Sequence, residues 1–124
     1  VKVEANITGL SPDSQHAIHV HQYGDVRLDH GKGTGGHSNP EGHDHGLPAT
    51  TQRHAGDLGN LKADANGAAS YTIVAKNISV AGLKNPVVGR GVIIHAQVDD
   101  GGQPTGNAGA RISQGVIGVA KPAE

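Results

Sequence analysis

Gln15 to His21 reads Gln-His-Ala-Ile-His-Val-His, and Val1 to Thr8 reads Val-Lys-Val-Glu-Ala-Asn-Ile-Thr. Apolar side chains recur at every second place in each stretch, the period of a half-buried strand, and Gly9 to Ser14 between them reads as a turn. Working outward, Asp57 to Ala63 and Ala68 to Ala75 predict a hairpin around Asp64-Ala-Asn-Gly67. Gly91 to Val98 and Ile112 to Ala120 predict two further apolar strands. No segment carries a helical period, an internal repeat or an interdomain linker. About six strands with little else predict an all-β sandwich or flattened barrel. The whole chain, residues 1–124, reads as one domain. Two Gly-rich segments, Gln22–Pro48 and Asp99–Gly109, are left as loops. The first is too long for an idle connection, and loops of that kind usually carry function.

Composition narrows the core and the chemistry. The chain has 124 residues with no Phe, Trp, Met or Cys and only Tyr23 and Tyr71 as tyrosines, so Val, Ile, Leu and Ala must build the core. Such a core is small for its length, which gives bound metal or oligomer contacts a larger share of stability. Twenty glycines and six prolines favour turns over long helices. A formal charge of −1 offers no general attraction to nucleic acid, and no stretch is apolar for long enough to cross a bilayer. Without cysteine there is no disulfide, thiolate site or thiol nucleophile. Nine histidines against ten Lys plus Arg stand out instead, because His is the commonest metal ligand.

Strand geometry gives those histidines a direction. Residues two apart face the same side of a strand, so His19 and His21 form a pair aimed at one ion. His95, at the end of another strand, can close the set from across the sheet. The long loop adds His37, His45, His54 and Asp57. Three imidazoles with a carboxylate suit tetrahedral zinc, and several imidazoles in a flattened arrangement suit Cu(II). Taken alone, a His-x-His pair also has a bland reading as surface or satisfied core histidines. Seven potential ligands in one small domain favour metal.

Four segments in order then resemble the copper/zinc superoxide dismutase family. His19-Val20-His21-Gln22-Tyr23-Gly24-Asp25 is similar to its copper-binding signature, and Gly36-His37-Ser38-Asn39-Pro40 to its bridging-histidine segment. Arg53-His54-Ala55-Gly56-Asp57-Leu58-Gly59-Asn60 resembles its zinc segment. Gly106-Asn107-Ala108-Gly109-Ala110-Arg111, followed by Gly115-Val116-Ile117-Gly118, resembles its active-site arginine loop. The resemblance covers nearly the whole chain and implies a Greek-key, immunoglobulin-like β-sandwich. It implies copper on His19, His21, His37 and His95, zinc on His37, His45, His54 and Asp57, and His37 as a bridging imidazolate. Asp99 matches the carboxylate that orients one histidine of each ion. Arg111 matches the guanidinium that attracts the anion, with Thr105 lining the channel beside it. The implied activity is disproportionation of superoxide to dioxygen and hydrogen peroxide as copper alternates between oxidation states, with His37 a proton donor and zinc structural. A non-enzymatic copper store of the same fold is the alternative. The family also favours a periplasmic, secreted or surface-anchored location.

Several features depart from that pattern. The loop cysteine and its partner are absent, with Gln114 at the partner's place, so the Asp25–Gly36 loop is expected to be untied. Asp99–Gly109 is short, which leaves fewer charges to steer an anion. Val1 aligns with the family's third strand, so two sheet edges are expected to be open, available to upstream residues, another segment or a homo-oligomer. Asp100 reads as a turn residue. His16, His30 and His43 match no ligand position and read as solvated loop or strand-edge residues. Tyr23 and Tyr71 read as packing residues with wet hydroxyls.

Overall fold

The alternating head of the chain forms β1, Lys2–Ile7, in a computed structural model that describes residues 1–122. After it come β2 (Gln15–His21), a short 3-10 turn (Asp29–Thr34), β3 (Asp57–Lys62), β4 (Ala69–Val74), β5 (Gly91–His95) and β6 (Arg111–Val116). All pairings between these strands are antiparallel. β1 pairs with β4 in one sheet, and the other runs β3-β2-β5-β6. The molecule is an all-β Greek-key sandwich, with β2 and β5 at the centre of the larger sheet.

Two strand expectations change. Asp57–Ala63 and Ala68–Ala75 do not form a hairpin, because β3 and β4 lie in different sheets. The Asp64 carboxylate accepts the Asn66 and Ala68 N–H groups, which keeps the turn tight. The turn then docks on the Gly9–Ser14 turn, with Leu10 N–H donating to Gly67 and Asp13 N–H to Asp64. Each strand therefore leaves towards a separate partner, Gln15 opposite Lys62 and Ile7 opposite Ala69. The last two strands are also displaced. β5 stops at His95, where a bulge interrupts its pairing, and β6 starts at Arg111 rather than Ile112. It ends at Val116, since Ile117 turns to bond the main chain of Gly89 and Arg90.

β2 shows why alternation matters here. Ile18 and Val20 enter the core with Leu58, Leu61, Ile78, Val87 and Ile94, and Val3, Ala5, Ile7 and Ile73 pack on it from the smaller sheet. His19 and His21 take the opposite face of β2, yet both are fully buried. The Gln22–Pro48 and Asp99–Gly109 loops cover that face and give it a second, polar interior. At the far side, the apolar layer opens between β1 and β6 as a cavity of about 540 Å3 lined by Val1, Val3, Ala5, Ile7, Ile94 and Ile117. Among the described residues β1 pairs only with β4, and β6 only with β5, so both outer edges are free.

Candidate metal centre

Six elements converge on the polar interior. β2 contributes His19 and His21, β5 contributes His95 at its end, and Asp57 opens β3 directly opposite His19. The covering loop brings His37 and His45, the segment between it and β3 brings His54, and the second loop brings Asp99. All eight are buried. Ligand-capable atoms of His19, His21, His37 and His95 lie within 4.8 Å of one another, and so do those of His19, His37, His45 and Asp57. The rings of His19 and His37, common to both groups, have centroids 3.9 Å apart.

What these histidines can do follows from the nitrogens they have already used. His19 Nε2 lies 2.8 Å from Asp99 Oδ2, and His45 Nε2 lies 2.8 Å from Asp99 Oδ1. His21 Nδ1 lies 2.9 Å from the Gly35 carbonyl, and His95 Nδ1 lies 3.1 Å from that of Gly109. Carboxylates and carbonyls only accept, so each of these ring nitrogens carries the proton and donates. The opposite nitrogens are then bare lone pairs. They are His19 Nδ1, His21 Nε2, His45 Nδ1 and His95 Nε2, and all are buried without a hydrogen-bond partner. A buried acceptor without a donor is costly, and an orienting bond on the far nitrogen is the usual arrangement of a metal-bound histidine.

The carboxylate side agrees. Asp57 Oδ2 accepts the main-chain N–H groups of Gly46 at 3.1 Å and His54 at 3.0 Å, which turns Oδ1 inward. Oδ1 stands 2.9 Å from His37 Nδ1 and 3.4 Å from His54 Nδ1, and those two nitrogens are 3.1 Å apart. His45 Nδ1 completes the group 3.0 Å from Asp57 Oδ2, but without the angle of a hydrogen bond. Neighbouring ligands of a tetrahedral zinc ion with bonds near 2.05 Å would be about 3.3 Å apart. One ring proton can serve only one of these contacts at a time, and the remaining lone pairs repel unless a cation lies between them. His54 thus adjoins the second group, which by mutual distance alone takes in His19 instead. His54 Nδ1 faces both His37 and Asp57 of that group, and His19 is shared with the first group.

Burial sets the protonation. It pulls His19 down to about 4 and His21 to about 3, the Asp99 bond and the Gly35 bond only partly opposing it. His54 and His95 are lowered for the same reason. Burial would raise Asp99, yet the bonds from His19 and His45 hold it far below the ordinary carboxylate range. Asp57 is lowered likewise, its burial outweighed first by His37 and the Gly46 N–H. His19, His21, His54 and His95 are therefore neutral, and Asp57 and Asp99 ionised, at neutral pH, the forms that bind metal.

Arg111 opens β6 beside this centre, half-buried, with Nη1 donating to the Gly31 carbonyl at 2.8 Å and to Thr34 Oγ1 at 3.3 Å. Thr105 is exposed on the loop, one residue before Gly106. Gly106 itself is required, because φ is +87° there and a Cβ would collide with Asp99 and His45. The Asp25–Gly36 loop is not untied, as its missing disulfide suggested. Arg111 holds Gly31, Gln22 and Tyr23 bond the main chain of Gly36 and Thr34, and the Gln114 amide reaches the Val26 and Leu28 carbonyls at 3.4 Å.

Other residues carry more than their sequence context suggested. His16 is buried rather than solvated, spanning Ser14 Oγ at 2.7 Å and the His95 carbonyl at 2.8 Å. His30 is exposed, and His43 is half-buried against Asn39 and the Arg53 carbonyl. Tyr71 does not wet its hydroxyl but donates to the Leu58 carbonyl at 2.6 Å. Gln103 clamps the main chain of His45. Its amide donates to the His45 carbonyl at 2.7 Å and accepts the His45 N–H at 3.0 Å. Asn60 makes the same two-bond clamp on the main chain of Asp99. Gln103 is a lone amide in a loop with no periodic or motif signal, and the motif that contains Asn60 does not show that it faces Asp99, so neither clamp was visible in the sequence.

Comparison with known proteins places this geometry. The family model for copper/zinc superoxide dismutase (SODC) matches residues 1–117. A superoxide dismutase [Cu-Zn] from Paramecium bursaria Chlorella virus 1 is 44% identical over 128 aligned positions, spanning 98% of this chain and 67% of the relative. Among solved structures, the crystal structure of the clock protein EA4 superposes with a TM-score of 0.89 at 40% identity, over 96% of this chain and 78% of that one.

Proposed function

The chain belongs to the copper/zinc superoxide dismutase family, and from that we propose that it disproportionates superoxide with copper on His19, His21, His37 and His95. Zinc is assigned to His37, His45, His54 and Asp57. The observation that carries the reading is the set of four buried ring nitrogens that neighbouring acceptors leave bare. Copper, when bound, supplies one-electron exchange between Cu(II) and Cu(I), by which two superoxide ions and two protons become dioxygen and hydrogen peroxide.

The protein's own groups do the rest. Asp99, Gly35 and Gly109 fix which nitrogen of each ring faces inward. His37 turns Nδ1 to Asp57, which leaves Nε2 for the other set and makes this ring the link between them. From Nε2 it can deliver a proton to the reduced anion. Arg111 presents a positive charge next to His21 and His95, strong enough to oppose their protonation. That charge draws in the anion, with Thr105 on the approach. The zinc set uses all its ligands on protein, as structural sites do, and holds the long loop closed.

A copper store of the same fold would need the histidines but not the guanidinium. Metal analysis together with a superoxide-decay assay on the copper-loaded protein separates the two. Stoichiometric copper without accelerated decay would establish the store. For the assembly, we propose that the free edges of β1 and β6 are where a homo-oligomer would pair, since edge N–H and C=O groups there lack strand partners among the described residues.

A further inference from the structure

Thr34 closes the 3-10 turn and is fully buried, an unusual place for a hydroxyl in a covering loop. Its Oγ1 lies 2.7 Å from the Gly31 carbonyl, 3.3 Å from Arg111 Nη1 and 3.3 Å from His21 Nδ1. The proton count has one consistent solution. The hydroxyl donates to Gly31, the only pure acceptor of the three, and receives from Arg111. His21 Nδ1–H points chiefly at Gly35 and shares its proton with the same oxygen.

We propose that Thr34 is a positioning residue that couples the anion-guiding Arg111 to the imidazole of His21. The inference rests on the copper site assigned above. Thr34 can perform this role because it cannot turn. Tyr23 N–H bonds its carbonyl at 3.0 Å, and its Cγ2 fills a slot left by Gly91, where a Cβ would come within 2.9 Å of that methyl. With the methyl seated, the hydroxyl has one direction. Among the described residues, the side-chain hydrogen bonds of Arg111 all use Nη1. Held there by two acceptors, the guanidinium keeps Nε and Nη2 for an incoming anion. A Thr that merely capped the turn would need only the Gly31 bond. The shared contact with guanidinium and imidazole is what assigns the further role.

The test is Thr34→Val in the metal-loaded protein, which keeps the methyl and removes the hydroxyl. Azide serves as the anion probe, and the electron paramagnetic resonance spectrum of Cu(II) reports on His21. Freeing the guanidinium from one of its two acceptors, an effect the size of one ordinary hydrogen bond, predicts about three- to tenfold weaker azide binding, with a similar fall in kcat/KM. Metal content should be unchanged, and the copper spectrum should shift. Thr34→Ser should return all of these towards the parent. Parent-like azide affinity and spectrum in Thr34→Val would overturn the proposal. If that variant does not fold, Thr34→Ala against Thr34→Ser makes the same comparison, and equal azide binding in both would overturn it. The azide and spectral readouts do not depend on turnover. A parent protein that binds copper but leaves superoxide decay unaccelerated would defeat the activity assignment while still testing Thr34.

Discussion

The buried histidines divide by the nitrogen each has already committed. His21 and His95 each spend Nδ1 on a carbonyl and touch neither Asp57 nor His54 in any hydrogen bond, so removing either should empty copper alone. His21→Ala and His95→Ala are expected to abolish dismutation and retain one zinc per chain. Metal analysis checks this, and loss of zinc from a folded variant would show that the ligands are divided differently. Arg111→Ala should lower the rate with copper in place, since the guanidinium acts on the approaching anion. Added salt should then slow the parent more than the variant, because screening weakens steering. Equal salt slopes would remove Arg111 from that role. The His-Val-His pair and the guanidinium were legible from the chain because strand period and motif both mark them. Thr34 and Gln103 were not, since their significance lies in what stands across from them.

At the scale of elements, two loops of different construction meet over the larger sheet. The 3-10 turn is held by Arg111, Thr34 and main-chain bonds to Gln22 and Tyr23, none of which needs metal. The following stretch, from Asn39 to Arg53, leans on Asp57, Gln103 and the ring cluster. Removing zinc should therefore loosen 39–53 first and leave 29–36 largely protected, with the strands last to open. Hydrogen exchange of metal-free and metal-loaded protein measures the order, and equal protection of 39–53 in both forms would contradict it. Gln103→Ala removes both bonds to the main chain of His45. Zinc retention against a chelator should fall about tenfold with copper retention little changed, the loss of two ordinary hydrogen bonds. Reductant should alter none of this, as the chain has no cysteine. Strand positions were legible from alternation, but their ends were not, because bulges and tertiary main-chain bonds decide where pairing stops.

For the molecule as a whole, the buried centre ties stability to metal and to pH. In the metal-free protein the folded state holds His19 at about 4 and His21 at about 3, against 6.5 in an unfolded chain. Below 6.5 the unfolded state binds more protons, so stability is fullest above that value and falls as pH drops towards the folded values. Denaturant midpoints of the metal-free protein should decline from pH 7 to pH 4. A flat profile would mean that the rings are not buried as neutral groups. The free β1 and β6 edges set the last expectation, a sedimentation mass above that of one chain at high concentration. A single-chain mass throughout would leave those edges unpaired with a second copy.

No helix among the described residues is long and apolar enough to cross a membrane, and the all-β class with its ligand-bearing strand could be read directly from residue order. Alternation of apolar side chains is a local property, and burial of one strand face demands it wherever the strand lies. Which strands become neighbours is not local. Only the tertiary structure put β3 and β4 in separate sheets, because each turn found a better partner than its own hairpin. The same holds for the centre. Residue order supplied the histidines, but which nitrogen of each ring is bare depends on Asp99, Gly35 and Gly109. Those acceptors lie 14 to 80 residues away and are brought there by the fold.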